Sequence, residues 1–201
     1  MGRPTPCPAS ADVAFRAVLT LLTDADLHAP EARGVCHVLV AGGTVVWIGA
    51  DVPTLDPQLE VEVVPLAGRR VIPGLVDGHV HVTGGGGEGG PATRVPPPPL
   101  TAYTRHGVTA VIGLLGTDDI VRSPADVLTR VYGLRAEGLR AWMLTGGYHL
   151  PAATVTGALR TDLVHLDPVL GVGEVAMSDH RGTVVTAQVL LDLASEVRAA
   201  A

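Results

Sequence analysis

Two histidines one residue apart, His79 and His81, close the segment Pro73-Gly74-Leu75-Val76-Asp77-Gly78-His79-Val80-His81, which runs on into Gly84-Gly85-Gly86-Gly87-Glu88. Side chains two apart on a strand point to the same side, so a strand here aims both imidazoles at one point, where they can hold one metal ion. The same pair also fits two core histidines satisfied by hydrogen bonds, and the glycine run also fits a flexible hinge. Spacing alone leaves both readings open. Leu75, Val76, Val80 and Val82 make the segment apolar enough for the inner wall of a barrel, where functional groups gather at the C-terminal ends of the strands. The glycines that follow let backbone approach a ligand without side-chain obstruction.

The elements that must position this segment read as two kinds. Residues 1–14 are rich in Pro, Ala and Ser without periodicity and are expected to form a loose extension. From residue 15 to 72 come short apolar or β-branched runs at 17–23, 35–40, 44–49 and 61–66, with Ala41-Gly42-Gly43 as a hairpin signal and Asp51-Val52-Pro53 ending a strand. Such strands are too few and short for an independent core and are expected to pack with something else.

From residue 73 to 201 the rhythm becomes strand, loop, helix. After the His-x-His strand a Gly/Pro loop reaches Pro99, a helix follows at 100–106, and an apolar strand at 108–115. Ser123-Pro124-Ala125-Asp126 starts a helix with Ser at the N-cap and Pro at N1, ended by Gly138. Strands follow at 139–144 and 169–177, and Val185, Val189, Leu190, Leu193 and Val197 form a helical stripe. The alternation predicts α/β architecture with a parallel sheet, four units or half of a (β/α)8 barrel. A whole barrel usually needs about 250 residues, and the chain has 201.

Composition narrows the partners. A net charge of -6 argues against nucleic acid and anionic membrane, both of which demand a basic face. No apolar run reaches the roughly 18 residues of a membrane span, the N-terminus lacks the apolar stretch of a secretory signal, and cytoplasm is the expectation. Cys7 and Cys36 make neither a disulfide framework nor a Cys-x-x-Cys knuckle. All 14 residues counted as Lys or Arg are Arg, which excludes Lys-based chemistry from this chain.

The first barrel segment, Pro-Gly-Leu-Val-Asp-Gly-His-Val-His, resembles that of the amidohydrolase superfamily. With Thr-Gly-Gly-Gly-Gly-Glu-Gly-Gly-Pro-Ala-Thr-Arg, Gly-Leu-Leu-Gly-Thr-Asp, Ala-Trp-Met-Leu-Thr-Gly-x-Tyr-His and Ser-Asp-His-Arg, the chain is similar to the N-terminal half of the isoaspartyl dipeptidase (beta-aspartyl-peptidase) family. The resemblance implies an amidohydrolase-type TIM barrel preceded by strands of a small β-sandwich, two zinc ions in the full-length protein, and hydrolysis of the isopeptide bond of β-aspartyl dipeptides by a metal-activated water. It implies metal ligation by His79 and His81. It places the Gly86 and Gly87 backbone and the Glu88 carboxylate at the substrate ammonium, and Thr117 and Arg181 at substrate carboxylate or backbone groups. Tyr148 would donate its hydroxyl to the scissile carbonyl. The family's carboxylated Lys on the fourth strand is absent; Glu174 stands on that strand and is assigned as the bridging carboxylate, the other reading being a buried pair with Arg181.

The family's second-metal histidines, on strands five and six, and its proton-shuttling Asp, on strand eight, have no counterpart in this sequence. The expectation is therefore a metallo-dipeptidase by family, inactive as this chain alone, with a small dipeptide as partner and homo-oligomerisation of the full-length protein. A non-catalytic remnant or one part of a split assembly is the alternative of a different class. Another amidohydrolase, dihydroorotase-like or N-acyl-deacylating, is a third reading, against which the glycine loop and Ser-Asp-His-Arg count.

Overall fold

The computed structural model describes residues 19–200, so the expected extension at residues 1–14 lies outside the described residues. The chain divides after Pro73 into two compact units. In the first, β1 (Leu19–His28) pairs antiparallel with β2 (Ala32–Ala41), which pairs with β3 (Thr44–Gly49) across the two-residue Gly42-Gly43 turn expected from the sequence. On its other side β1 pairs in parallel with β4 (Val61–Pro65) and with the two-residue β5 (Arg70–Val71). β1 runs well beyond the expected 17–23 because a register shift between Leu22 and Ala25 absorbs the polar interruption at Asp24 and pairing resumes. Among the described residues this unit has one layer. Leu27, Cys36 and Val38 form its small buried cluster, while Val35, Val45, Val46 and Val63 are exposed.

The second unit is a four-stranded parallel sheet in sequence order: β6 (Leu75–Val80), β7 (Val108–Gly113), β8 (Arg140–Thr145) and β9 (Val169–Val172). Helices α1 (Leu100–Thr104), α2 (Pro124–Ala136), α3 (Leu159–His165) and α4 (Ala187–Arg198) alternate with or follow the strands. α2 starts as expected. Ser123 accepts the Asp126 backbone N–H at 3.3 Å, Asp126 accepts the Ser123 N–H at 2.8 Å, and Pro124 occupies the first turn. Val127, Val131 and Leu134 on α2 are fully buried with Val111, Ala141 and Met143 of the sheet, forming the core that holds the strand ends in place.

Three details depart from the sequence reading. Leu75 and Val76 are 50% and 68% exposed rather than forming a buried wall, because β6 is an edge strand with β7 as its one neighbour; Val80 and Val82 are buried as expected. β9 ends at Val172 instead of 177, so Glu174 lies past the strand, at the rim. α3 lies where the sequence reading placed no element. It is seven residues long, too short to show periodicity, and is held by Asp162, whose fully buried carboxylate accepts from Thr145 Oγ1 (2.6 Å), Thr156 Oγ1 (2.6 Å) and the N–H groups of Val155 and Thr156 (both 2.8 Å).

Burial raises the Asp162 pKa, but these hydrogen bonds outweigh it and the net shift is downward from 3.8. A folded-state pKa below the unfolded one stabilises the fold above the unfolded value, and that contribution is lost as pH falls through the folded value. Asp162→Ala is expected to cost about 3 kcal/mol in urea unfolding at neutral pH, since two hydroxyls and two amides lose one acceptor, and the gap between variant and parent should narrow below pH 3.8. A neutral-pH loss under about 1 kcal/mol would contradict the role given to this carboxylate.

Candidate functional site

Parallel strands that end together put the residues after them at one rim, and this is where the sheet of the second unit gathers its polar groups. His79 on β6, His81 just past it and Glu174 just past β9 each offer a ligand atom within 4.8 Å of the others. The two imidazole rings meet edge to face with centroids 5.4 Å apart. His79 Nε2 lies 3.3 Å from Glu174 Oε2.

The donors fit a divalent cation. His81 Nδ1 and Glu174 Oε2 are buried without a hydrogen-bond partner, a costly state for polar atoms unless something else satisfies them. Two imidazoles and a carboxylate are a ligand set that zinc accepts. Gly116, at φ +67°, brings the loop after β7 against the His81 ring so closely that a Cβ there would overlap it. The bare backbone at this position fixes where the imidazole can point.

Next to this group a small cavity of about 120 Å³ is lined by His81, Gly85, Gly86, Glu88, Leu115, Thr117, Tyr148 and Glu174. A second cavity of about 230 Å³ shares Gly86, Glu88 and Thr117 and adds Gly87, Asp118, Ile120, His149 and Arg181. Of the site residues singled out from the sequence, all but His79 line these two spaces, and His79 contacts Glu174, which does. Thr117 donates to Glu88 at 3.2 Å, and Arg181 approaches the same carboxylate at 3.6 Å. Positive φ at Gly86 serves the loop itself: a Cβ there would strike the Thr93 carbonyl, and Gly86 bridges to Arg94.

Arg181 is not paired with Glu174. Its Nε and Nη2 grip both oxygens of Asp179, which holds the Asp179 carboxyl well below the usual carboxylate range, and the guanidinium carbon lies 5.8 Å from the centre of the Tyr148 ring. The two-point face expected for a substrate carboxylate is thus turned to Asp179, leaving Nη1 toward Glu88. Burial, then the negative charges of Glu174 and Asp179, raise the Tyr148 phenol above its ordinary 10.0, against the opposing pull of Arg181. Tyr148 therefore keeps its proton across the neutral range and can donate it in a hydrogen bond.

Sequence reasoning missed two supports. Asp118 is bracketed by Arg94 (2.6 Å) and Arg122 (3.0 Å), and Arg122 also donates to the Gly84 carbonyl, pinning the glycine loop. Asp119 pairs with His149 at 2.7 Å. The available signal was positional: acids after one strand and a histidine after the next face each other when the strands are neighbours.

The segment-by-segment likeness has a counterpart among solved structures. A beta-aspartyl dipeptidase from Fervidobacterium islandicum, solved in complex with the beta-Asp-Leu dipeptide, superposes with a TM-score of 0.87 and 38% identity over 92% of this chain. The chain is similar to the beta-aspartyl dipeptidases of the amidohydrolase superfamily. It spans 48% of that dipeptidase's length. Curated relatives are amidohydrolase enzymes too: imidazolonepropionase of Acidiphilium cryptum, 32% identical over 59% of this chain and 30% of its own, and adenine deaminase of Ruegeria pomeroyi, 27% identical over 78% and 28%. An L-hydantoinase of Arthrobacter aurescens, at 17% identity and TM-score 0.57, shares the fold. No family model matches the chain. The expected fold, half of an amidohydrolase-type TIM barrel, is what the structure and its neighbours have in common. Among the described residues no helix is long and apolar enough to cross a membrane.

Two measurements check the site. Gly116→Ala should weaken zinc binding by at least about tenfold in calorimetric titration, because the His81 ring must move off its line; unchanged affinity would separate the ring from the cation. In the metal-free protein, phenolate absorbance assigned to Tyr148 by comparison with Tyr148→Phe should appear above pH 10.0.

Proposed function

We propose that this chain carries the primary cation and substrate groups of a metal-dependent hydrolase acting on the isopeptide bond of β-aspartyl dipeptides. The observation that carries the reading is the convergence of His79, His81 and Glu174 beside a cavity that also holds Glu88 and Tyr148. His79, His81 and Glu174 would hold the cation, with zinc the ion of choice for two imidazoles and a carboxylate. When bound, it would supply a water of lowered pKa as nucleophile.

The chain's own residues do the rest. Glu88, steadied by Thr117, accepts the ammonium of the aspartyl residue, a group present in β-linked and α-linked dipeptides alike but placed differently relative to the scissile carbonyl. The Gly86 and Gly87 backbone flanks that contact. Tyr148 keeps its proton and donates to the carbonyl oxygen as charge develops there, as an oxyanion-hole donor does. Arg181, oriented by Asp179, would turn Nη1 from Glu88 to a substrate oxygen.

Among the described residues one such three-ligand group is found. A second zinc ion and the proton shuttle to the leaving amine would need donors that these residues do not provide, so turnover by the 201-residue chain alone is expected to be negligible. A reading in which another polypeptide supplies those groups draws on the edge strands β6 and β9, each paired on one side. The beta-aspartyl dipeptidase neighbours support a small dipeptide partner; homo-oligomerisation and a cytoplasmic setting belong to the same proposal for the full-length enzyme.

The zinc-loaded chain should bind β-aspartyl-leucine in calorimetry at least about tenfold more tightly than α-aspartyl-leucine, with the preference lost in Glu88→Gln. Equal affinities for the two isomers would refute the substrate assignment. Rapid turnover of β-aspartyl-leucine, abolished by His81→Ala, would instead refute the inactivity of the chain on its own.

A further inference from the structure

Tyr148 is bracketed by two residues that lean on one buried carboxylate from a neighbouring loop. Asp119, whose side chain is 4% exposed, accepts the backbone N–H of His149 at 3.0 Å and faces His149 Nδ1 at 2.7 and 2.9 Å through its two oxygens. An ionised carboxylate only accepts, so Nδ1 carries the proton and donates. On the other side, Gly147 packs so closely that a Cβ there would lie 2.6 Å from Asp119 Cβ and Oδ2. The chain therefore enters and leaves Tyr148 against the same acid.

The Tyr148 carbonyl accepts the Ala176 N–H at 3.4 Å, and its side chain meets Glu174 and lies under the Arg181 guanidinium. The two side-chain contacts belong to groups that a cation or a substrate would engage. Asp119 lines neither cavity, and its contacts join the loop after β8 to the loop after β7. A hydroxyl donor misplaced by about 1 Å can lose about a hundredfold in rate, so a restraint independent of ligand has a purpose here.

We propose that Asp119, acting through His149, is the positioning residue for Tyr148, holding the phenol over the His79–His81–Glu174 group whether or not that group is engaged. The proposal rests on the reading of Tyr148 as the carbonyl donor. Asp119 need not touch substrate to do this.

The chain has three tyrosines, so 3-fluorotyrosine labelling gives three fluorine resonances, that of Tyr148 being assigned by its loss in Tyr148→Phe. In Asp119→Ala the Tyr148 line is expected to shift and to gain a solvent isotope effect, while the lines of Tyr103, buried in the core, and Tyr132, on α2, stay put. Asp119→Asn, which keeps an oxygen for the His149 N–H, should restore part of the parent position. An unmoved Tyr148 line in Asp119→Ala overturns the proposal. If the Tyr103 line moves too, reporting a disturbed core, His149→Ala decides, since it removes the imidazole anchor alone; an unmoved Tyr148 line there overturns the proposal equally. β-Aspartyl-leucine binding by the zinc-loaded parent is measured alongside. Its absence sinks the dipeptide reading while the fluorine lines still report on the clamp. With binding present, Asp119→Ala should weaken it by about tenfold.

Discussion

Parallel pairing of four strands is the constraint from which the chemistry of the second unit follows. The ladder fixes Val80 opposite Gly113, Gly113 opposite Met143, and Met143 opposite Val169, so the strands finish nearly level. Whatever follows each strand then shares one rim. His81, Thr117, Tyr148 and Glu174 come from four different loops, far apart in sequence, and meet because the backbone hydrogen bonds leave the strand ends no other place to go. The buried stripe of α2 against β7 and β8 holds that level, since a slip of one residue would turn every side chain of a strand to the opposite face.

The balance of charge around the rim is uneven in an informative way. Asp118 has two arginines, Asp179 has the fork of Arg181, Asp119 has His149, and Glu88 has a hydroxyl and a more distant guanidinium. Glu174 has a buried oxygen that makes no hydrogen bond, its nearest ion-pair partner being His79 Nε2 at 3.3 Å. His81 Nδ1, in the same group of residues, is likewise buried without a hydrogen bond. A cation held by this group would satisfy both. The paired acids are scaffold by the same logic: they are already neutralised by the protein.

Much of this was legible in the letters. Period two at His79 and His81, the Ser-Pro-x-Asp start of α2, and the alternation of apolar runs with helical stripes are local signals, and local signals survive in a single sequence. The convergence of Glu174 with the histidines was readable through resemblance alone, because nothing in its immediate neighbours marks it. What could not be read was side-chain choice among competing partners. Arg181 had Glu174, Asp179 and Glu88 within sequence or strand reach, and the bidentate fit to Asp179, two residues away, took the fork. The glycine run was read as an approach path for ligand, yet Gly86 is needed for the loop to pass its own Thr93 carbonyl. The seven residues of α3 gave no periodic stripe, and the buried acid that anchors them looks in sequence like any exposed aspartate.

A carboxylate built into the polypeptide at position 174 differs from one added to a lysine nitrogen in how it comes into being. A carbamate forms by reversible capture of dissolved carbon dioxide and can be lost again when the gas is scarce or the solution acidifies. Glu174 emerges from the ribosome with its oxygens in place, so this corner of the rim is finished as soon as the chain folds, and bicarbonate has no say in it.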